Sequence, residues 1–300
     1  MAILRREDII ATIEHVNKER FDDLNGRSII SVTKIPEYVS TPFDKEGQAK
    51  VCEQKGKDDP NYKYAGMTAA EIIESWDNKS AESRRYGSLA DEYTEQRFEK
   101  TPEEMEIWKL DNNFDYDERL KGNCTGFDEF VNDLAQFGYE YVGREITVYG
   151  ETDKGNIVIG RIDCLFQHPE QQKFLIVDWK TTDEIKTESW RDKRMKGPAY
   201  VLQDCDLSKY AIQVQTYMSD LIKTYALTDE QHIGCAIVNL RKTADGPGGK
   251  HYIIYKPKND FSHQLIADLV DFSVNKRRLE KMIAEKERSG SVDKPAGVVA

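Results

Sequence analysis

The stretch "GRIDCLFQHPEQQKFLIVDWKTT", Gly160 to Thr182, decides the reading of this chain. It holds two short apolar runs, and each carries an aspartate that a buried strand does not need. Asp163 interrupts "IVIGRIDCLF", and Asp178 ends "KFLIVD" ahead of Trp179 and Lys180. Strand side chains alternate faces, so Asp178 and Lys180 point the same way as Phe174 and Ile176, while Val177 and Trp179 point the other way. On the preceding strand Asp163 shares a face with Arg161 and Leu165. A hairpin centred between Glu170 and Gln171 sets Asp163 opposite Asp178. Two carboxylates and a lysine then converge at one end of a sheet, where a divalent cation would neutralise the acids. The bland alternative is a strand end whose Asp and Lys are solvated.

"EYVGREITVYG" precedes the hairpin as a further strand, and "HIGCAIVNLR" and "KHYIIYKP" follow as two more around "TADGPGG". A helix is expected at about 208–227, with Ala211, Val214, Met218, Leu221, Ile222 and Tyr225 as its apolar stripe. Gln213 and Tyr217 lie beside that stripe. A charged amphipathic helix is expected over 262–288, and a disordered tail over 289–300. Toward the N-terminus, Ile9, Ile13, Val16, Phe21 and Leu24 predict a helix over 6–24. "RSIISVTKI" reads as extended, and the polar, aperiodic residues 41–66 as a long flexible loop or flap. "TAAEIIESWDNKSAESRRYGSLADEYTEQRFEK" reads as helix broken near Gly87, and "GFDEFVNDLAQFG" as another helix. The expected architecture is a single α/β domain over 1–288. An N-terminal helical portion (1–85) precedes a core (86–260) with a central mixed β-sheet flanked by helices, and a C-terminal helix (261–288) follows.

The 300 residues can bury a sizeable core. No apolar run is long enough to cross a membrane, so no membrane partner is expected. "MAILRREDII" has no signal-peptide layout. The five cysteines are scattered without a C-x-x-C, which argues against zinc or iron–sulfur ligation and fits a reducing compartment. With 43 basic and 54 acidic residues the net charge is −11. That argues against a protein that coats nucleic acid non-specifically, but does not exclude a nuclease with local basic patches.

Asp91 and Glu95 lie four apart on one helix face in "YGSLADEYTE". Ser88-x-x-Asp91 also has the spacing of a capping box, which offers Asp91 a structural role, and Glu95 has the alternative of plain surface. In this order, "YGSLADEYTE", "GRID…VDWKTTDEI" and "QVQTY" resemble the RecB-like branch of the PD-(D/E)xK nuclease superfamily. "ISVTKI" and "YAGMTAAEIIESWDNKSAESRRYGSLADEYTE" are similar to the front half of phage exonucleases of this branch and of the mitochondrial genome maintenance exonuclease. The resemblance implies a restriction-endonuclease-like core and a Mg²⁺- or Mn²⁺-dependent nuclease. In it Asp163 and Asp178 hold metal, Lys180 is catalytic, and Gln213 and Tyr217 lie near the active site and DNA. Gly87 and Glu95 match the family's G-x-x-x-H-x-x-x-E helix motif, but Asp91 stands where histidine is usual. Asp91 and Glu95 are therefore expected as further ligands. Glu145, in "GREITVYG", matches an acid that often precedes G-x-I-D; the alternative is an exposed strand residue.

The resemblance further implies DNA ends or single strands as substrate, a recombination or replication protein as partner, and the cytoplasm of a bacterial or phage-infected cell. No iron–sulfur cluster is expected, since the four cysteines of some relatives are missing. Trp190, Arg191, Lys193, Arg194 and Lys196, in "WRDKRMKGPAY", could hold phosphates and stack bases, as could Arg84 and Arg85. An endonuclease of a restriction or defence system, and a degenerate nuclease fold acting as a binding or assembly module, stay open as alternatives.

Overall fold

The hairpin forms in the expected register. In the computed structural model, which describes residues 29–227, 233–257 and 261–288, strand β3 (Ile157–His168) pairs antiparallel with β4 (Lys173–Lys180). Cys164 faces Val177 and Leu165 faces Ile176, and the same register carries Asp163 to Asp178. The other strands are β1 (Ile29–Ser31), β2 (Glu140–Glu151), β5 (Ile233–Leu240) and β6 (Tyr252–Tyr255). The six make one mixed sheet. β1 runs parallel to β3 and β5 parallel to β4, while β2 and β6 are antiparallel to β3 and β5. The protein is an α/β fold with this sheet flanked by helices.

One detail of the pairing makes room for a site. Ile157–Ile159 pair with both β1 and β2, and Cys164–Gln167 with both β2 and β4. β1 and β4 therefore share the edge of β3 opposite β2. Residues 160–163 lie between them with no ladder partner on that edge.

The helices are α1 (Ile35–Val39), α2 (Lys45–Asp58), α3 (Ala69–Glu99), α4 (Pro102–Asp111), α5 (Glu118–Gln136), α6 (Asp206–Thr224) and α7 (His263–Arg288). On one face of the sheet, Phe174 and Ile176 pack with Ile212 and Leu221 of α6 and Leu269 and Val270 of α7. On the other, Val177 and Trp179 pack with Leu89 and Tyr93 of α3 and Phe127 and Phe130 of α5. The alternation along β4 thus feeds two separate cores. Among the described residues no helix is long and apolar enough to cross a membrane.

Three expectations are corrected. Residues 41–66 are not a loop throughout, since they contain α2. Asp44 caps this helix, its Oδ1 accepting from Gly47 N at 2.9 Å. α2 buries only Ala49 and Gly56, too little to write an apolar stripe into the sequence. The helix over "TAAEIIESWDNKSAESRRYGSLADEYTEQRFEK" is not broken at Gly87; α3 runs unbroken from Ala69 to Glu99. Its capping box is Thr68 with Glu71, so Ser88 and Asp91 lie deep in the helix and cap nothing. The helix expected over 6–24 and the tail over 289–300 lie outside the described residues.

Candidate active site

Phe174–Val177 alternate between the two cores, and that anchorage fixes where β4 delivers Asp178, which is 1% exposed. Asp163 Oδ2 accepts from the backbone N–H of Trp179 at 3.0 Å, which ties the two acidic positions across the hairpin. Lys180 Nζ lies 2.5 Å from Asp178 Oδ2 and 4.8 Å from the ring centre of Tyr210. From α6, Gln213 Nε2 donates to Asp178 Oδ1 at 2.9 Å and to the Tyr217 hydroxyl at 3.1 Å.

Tyr217 is fully buried rather than flanking the helix stripe, and Gly160 explains how. A Cβ at Gly160 would come within 2.4 Å of Tyr217 Cε1 and 2.8 Å of Val32 Cγ2. The absent side chain of Gly160, in the unpaired gap on β3, is what admits the ring. The glycine of "GRID" and the tyrosine of "QVQTY" are thus one steric unit. Gly87 has no such duty, since an added Cβ there would meet only Thr181 Oγ1 at 4.0 Å.

Gly160 and Tyr217 line a pocket of about 660 Å³ whose walls also include Ser31, Thr33, Glu145, Asp163 and Gln213. Glu145 is therefore not a plain strand residue. It stands opposite Asp163 in the register of β2, in a left-handed backbone conformation (φ 51°), and pairs with Arg161 at 2.6 Å.

The electrostatics are those of crowded acids. Burial pushes the Asp163 carboxyl well above the usual range, and the neighbouring charges of Asp178 and Asp91 add to the shift. Burial works against the Lys180 ammonium, but Asp178 and Asp163 outweigh it and hold its pKa above the ordinary value. Asp91 is exposed by area, yet enough protein surrounds its carboxyl to push it up to about 6. Desolvation is the main cause, followed by Glu145. Asp91 therefore faces the same acidic group from α3.

Glu95 does not join that group. It is paired with Arg144, and with Lys100 at 3.3 Å, because β2 presents a guanidinium to this turn of α3. Arg84 and Arg85 are exposed; Arg84 bonds Ser80, and Arg85 lies 3.5 Å from Asp117. The segment from Trp190 to Lys196 is not brought to the acidic pocket. Arg194 lines a separate cavity, donates to Val201 O at 3.0 Å and pairs with Asp192, while Met195 is buried. Trp190 is 74% exposed with Arg191 stacked on it, and Lys193 and Lys196 are exposed. Two residues of the site were missed in the sequence. Tyr210 lies three before Gln213, on the same helix face, and Arg144 is next to Glu145.

The donor set suits a hard divalent cation. Asp178 Oδ2 is buried with the Lys180 ammonium at 2.5 Å as its partner, and no other donor reaches it, so one side of this carboxylate oxygen stays open to a cation. Among the described residues no three His, Cys, Asp or Glu side chains cluster closely enough to enclose an ion. Two carboxylates with waters completing the shell match Mg²⁺, which holds its waters tightly.

No described protein family matches the chain, and no curated protein sequence does. It is similar to a solved structure described as the crystal structure of SSO0001, over 71% of this chain and 86% of the other. The identity is 12% and the TM-score 0.30, a likeness that carries no argument.

Proposed function

We propose that this protein is a Mg²⁺- or Mn²⁺-dependent deoxyribonuclease with a restriction-endonuclease-like core, acting on DNA ends or single strands. The observation that carries the reading is the convergence of Asp163, Asp178, Lys180 and Gln213 at the C-terminal end of the central strand β4, beside an open pocket. Asp163 and Asp178 would hold the cation, with Asp91 and Glu145 contributing negative charge around it. The bound cation supplies charge neutralisation and Lewis acidity toward a phosphodiester. Lys180, held cationic, stabilises charge that develops on the phosphoryl oxygens. Gln213 fixes the direction of Asp178, and buried Tyr217 fixes Gln213. The pairing of Glu95 with Arg144 favours a second reading, a nuclease fold that binds nucleic acid without cutting it.

One assay separates the readings: purified protein with Mg²⁺ or Mn²⁺ on linear duplex, single-stranded and closed circular DNA. The exonuclease reading expects hydrolysis of linear or single-stranded DNA, none of the closed circle, and loss of hydrolysis in Asp163→Ala and Asp178→Ala. Nicking of the circle would make it an endonuclease. DNA binding with no hydrolysis under either metal would leave the binding module. Wild-type rates in either alanine variant would remove these aspartates from the chemistry.

A further inference from the structure

A second cavity of about 610 Å³ adjoins the acidic pocket, and Thr33 and Gln213 stand in the walls of both. Tyr210, whose ring lies 4.8 Å from Lys180 Nζ, also lines it. A polymer leaving Asp163 and Asp178 past Gln213 therefore enters this cavity directly. Its remaining walls combine rings with cations, notably Tyr38, Phe43, Lys209 and Lys276.

Phe43 is the unusual member. It is 67% exposed, in the short connection between α1 and α2. Its ring is nevertheless backed, with its centre 5.7 Å from that of Trp76 at a 58° tilt. Trp76 is itself fixed, since its Nε1 donates to the Tyr64 hydroxyl at 2.8 Å. Phe43 is thus a supported ring with open surface at the mouth of a cavity. Lys209 lies one helical turn before Gln213 on α6, and its nearest acid, Asp204, is 3.6 Å away. Lys276 Nζ bonds Tyr38 O at 2.8 Å and covers the Tyr38 ring at 5.9 Å. Glu37 and Glu280 also line the cavity, and Lys34 neutralises Glu37 at 2.8 Å.

We infer that this cavity is a nucleotide subsite for a single strand. The base beside the scissile phosphate stacks on Phe43, and its phosphate is drawn to Lys209. The inference rests on the nuclease reading for its orientation, and it narrows the substrate. A base inside a duplex has both faces covered by its neighbours and cannot offer one to Phe43, whereas an unpaired base can. Every base has a π-face, so the subsite is indifferent to sequence.

The test is fluorescence anisotropy in EDTA, with labelled oligothymidylate, an abasic strand of equal length, and a duplex. Wild type should prefer oligothymidylate to the duplex. Phe43→Ala should weaken oligothymidylate binding by about tenfold, the loss of roughly one base–aromatic stack, and leave the abasic strand unchanged. Phe43→Leu, which keeps an apolar contact with Trp76, should show the same selective loss, whereas Phe43→Trp should bind as wild type does. Lys209→Gln should weaken both strands alike and reduce the salt dependence. Equal losses on thymidylate and abasic strands, no loss in Phe43→Ala, or a preference for duplex would each overturn the subsite. Because binding is read without metal, a protein that binds this way and hydrolyses nothing would sink only the nuclease reading. Hydrolysis by a protein whose Phe43→Ala variant binds normally would sink only the subsite.

Discussion

Gln213 donates to Asp178 across the boundary between α6 and β4, and the same nitrogen donates to Tyr217, which occupies the space left by Gly160. Three separated stretches of sequence are thereby locked to one carboxylate. Gln213→Ala should leave Asp178 Oδ1 without its directed donor. The cost is expected near the low end of about 1–3 kcal/mol for an unsatisfied buried acceptor, since pocket water can reach the vacated place. Turnover should fall more than DNA affinity, because what is lost is the direction of a reacting group. Urea melts and single-turnover rates check this. Unchanged turnover would reduce Gln213 to a packing residue.

Asp91 sets a pH dependence. Its carboxyl is pushed up to about 6 in the folded protein, from an ordinary value of about 3.9. Between those values the folded chain keeps a proton that the unfolded chain releases. Stability of the metal-free protein must then fall as pH rises through that window. Asp163, also raised, acts with the same sign. Asp91→Asn should flatten the fall between about pH 4 and 6 and raise the metal-free Tm at neutral pH. If Asp91 serves the cation, the same variant should need more Mg²⁺ for activity. Identical pH slopes for wild type and variant, measured by thermal melts in EDTA, would show that the carboxyl is not desolvated.

What could be read in the sequence, and what could not, follows from where each residue finds its partners. The hairpin was legible because Phe174, Ile176, Val177 and Trp179 enter two different cores, so alternation and register both leave a trace. α2 left none, since Ala49 and Gly56 are the only residues it buries. Gly87 misled because glycine costs a helix about 1 kcal/mol against alanine. Here Tyr86, Leu89, Ala90 and Tyr93 are buried on either side and carry the helix through. The depth of Tyr217 was hidden because its cavity is made by a glycine on another element. The fate of Glu95 depends on Arg144, which only the pairing of β2 brings near.

That last contact makes its own prediction. Glu95 lies between Arg144, which is mostly shielded from solvent, and the exposed Lys100. Glu95→Gln should therefore lower stability by about 1 kcal/mol. The Mg²⁺ concentration for half-maximal activity should stay as in wild type. A variant with unaltered stability and a raised Mg²⁺ requirement would instead make Glu95 a ligand, with Arg144 released when the cation binds.

Lys180 is the remaining test of the chemistry. Its ammonium contacts Asp178, lies against the Tyr210 ring, and has a pKa above the ordinary lysine value despite burial. In the metal-free protein such a group stays charged at neutral pH, and the role it suits is that of a fixed positive charge. Lys180→Met should therefore lose turnover while DNA affinity holds, because a charge that matters at the transition state appears in kcat rather than in binding. The variant also strands a buried carboxylate. Its metal-free stability should therefore fall below that of wild type. In wild type, turnover should show no alkaline limb below the ordinary lysine range of about 10. Two results would count against this role. A limb well below that range would mean that Lys180 acts as the neutral amine. Lost DNA affinity with intact turnover at saturation would make it a phosphate anchor.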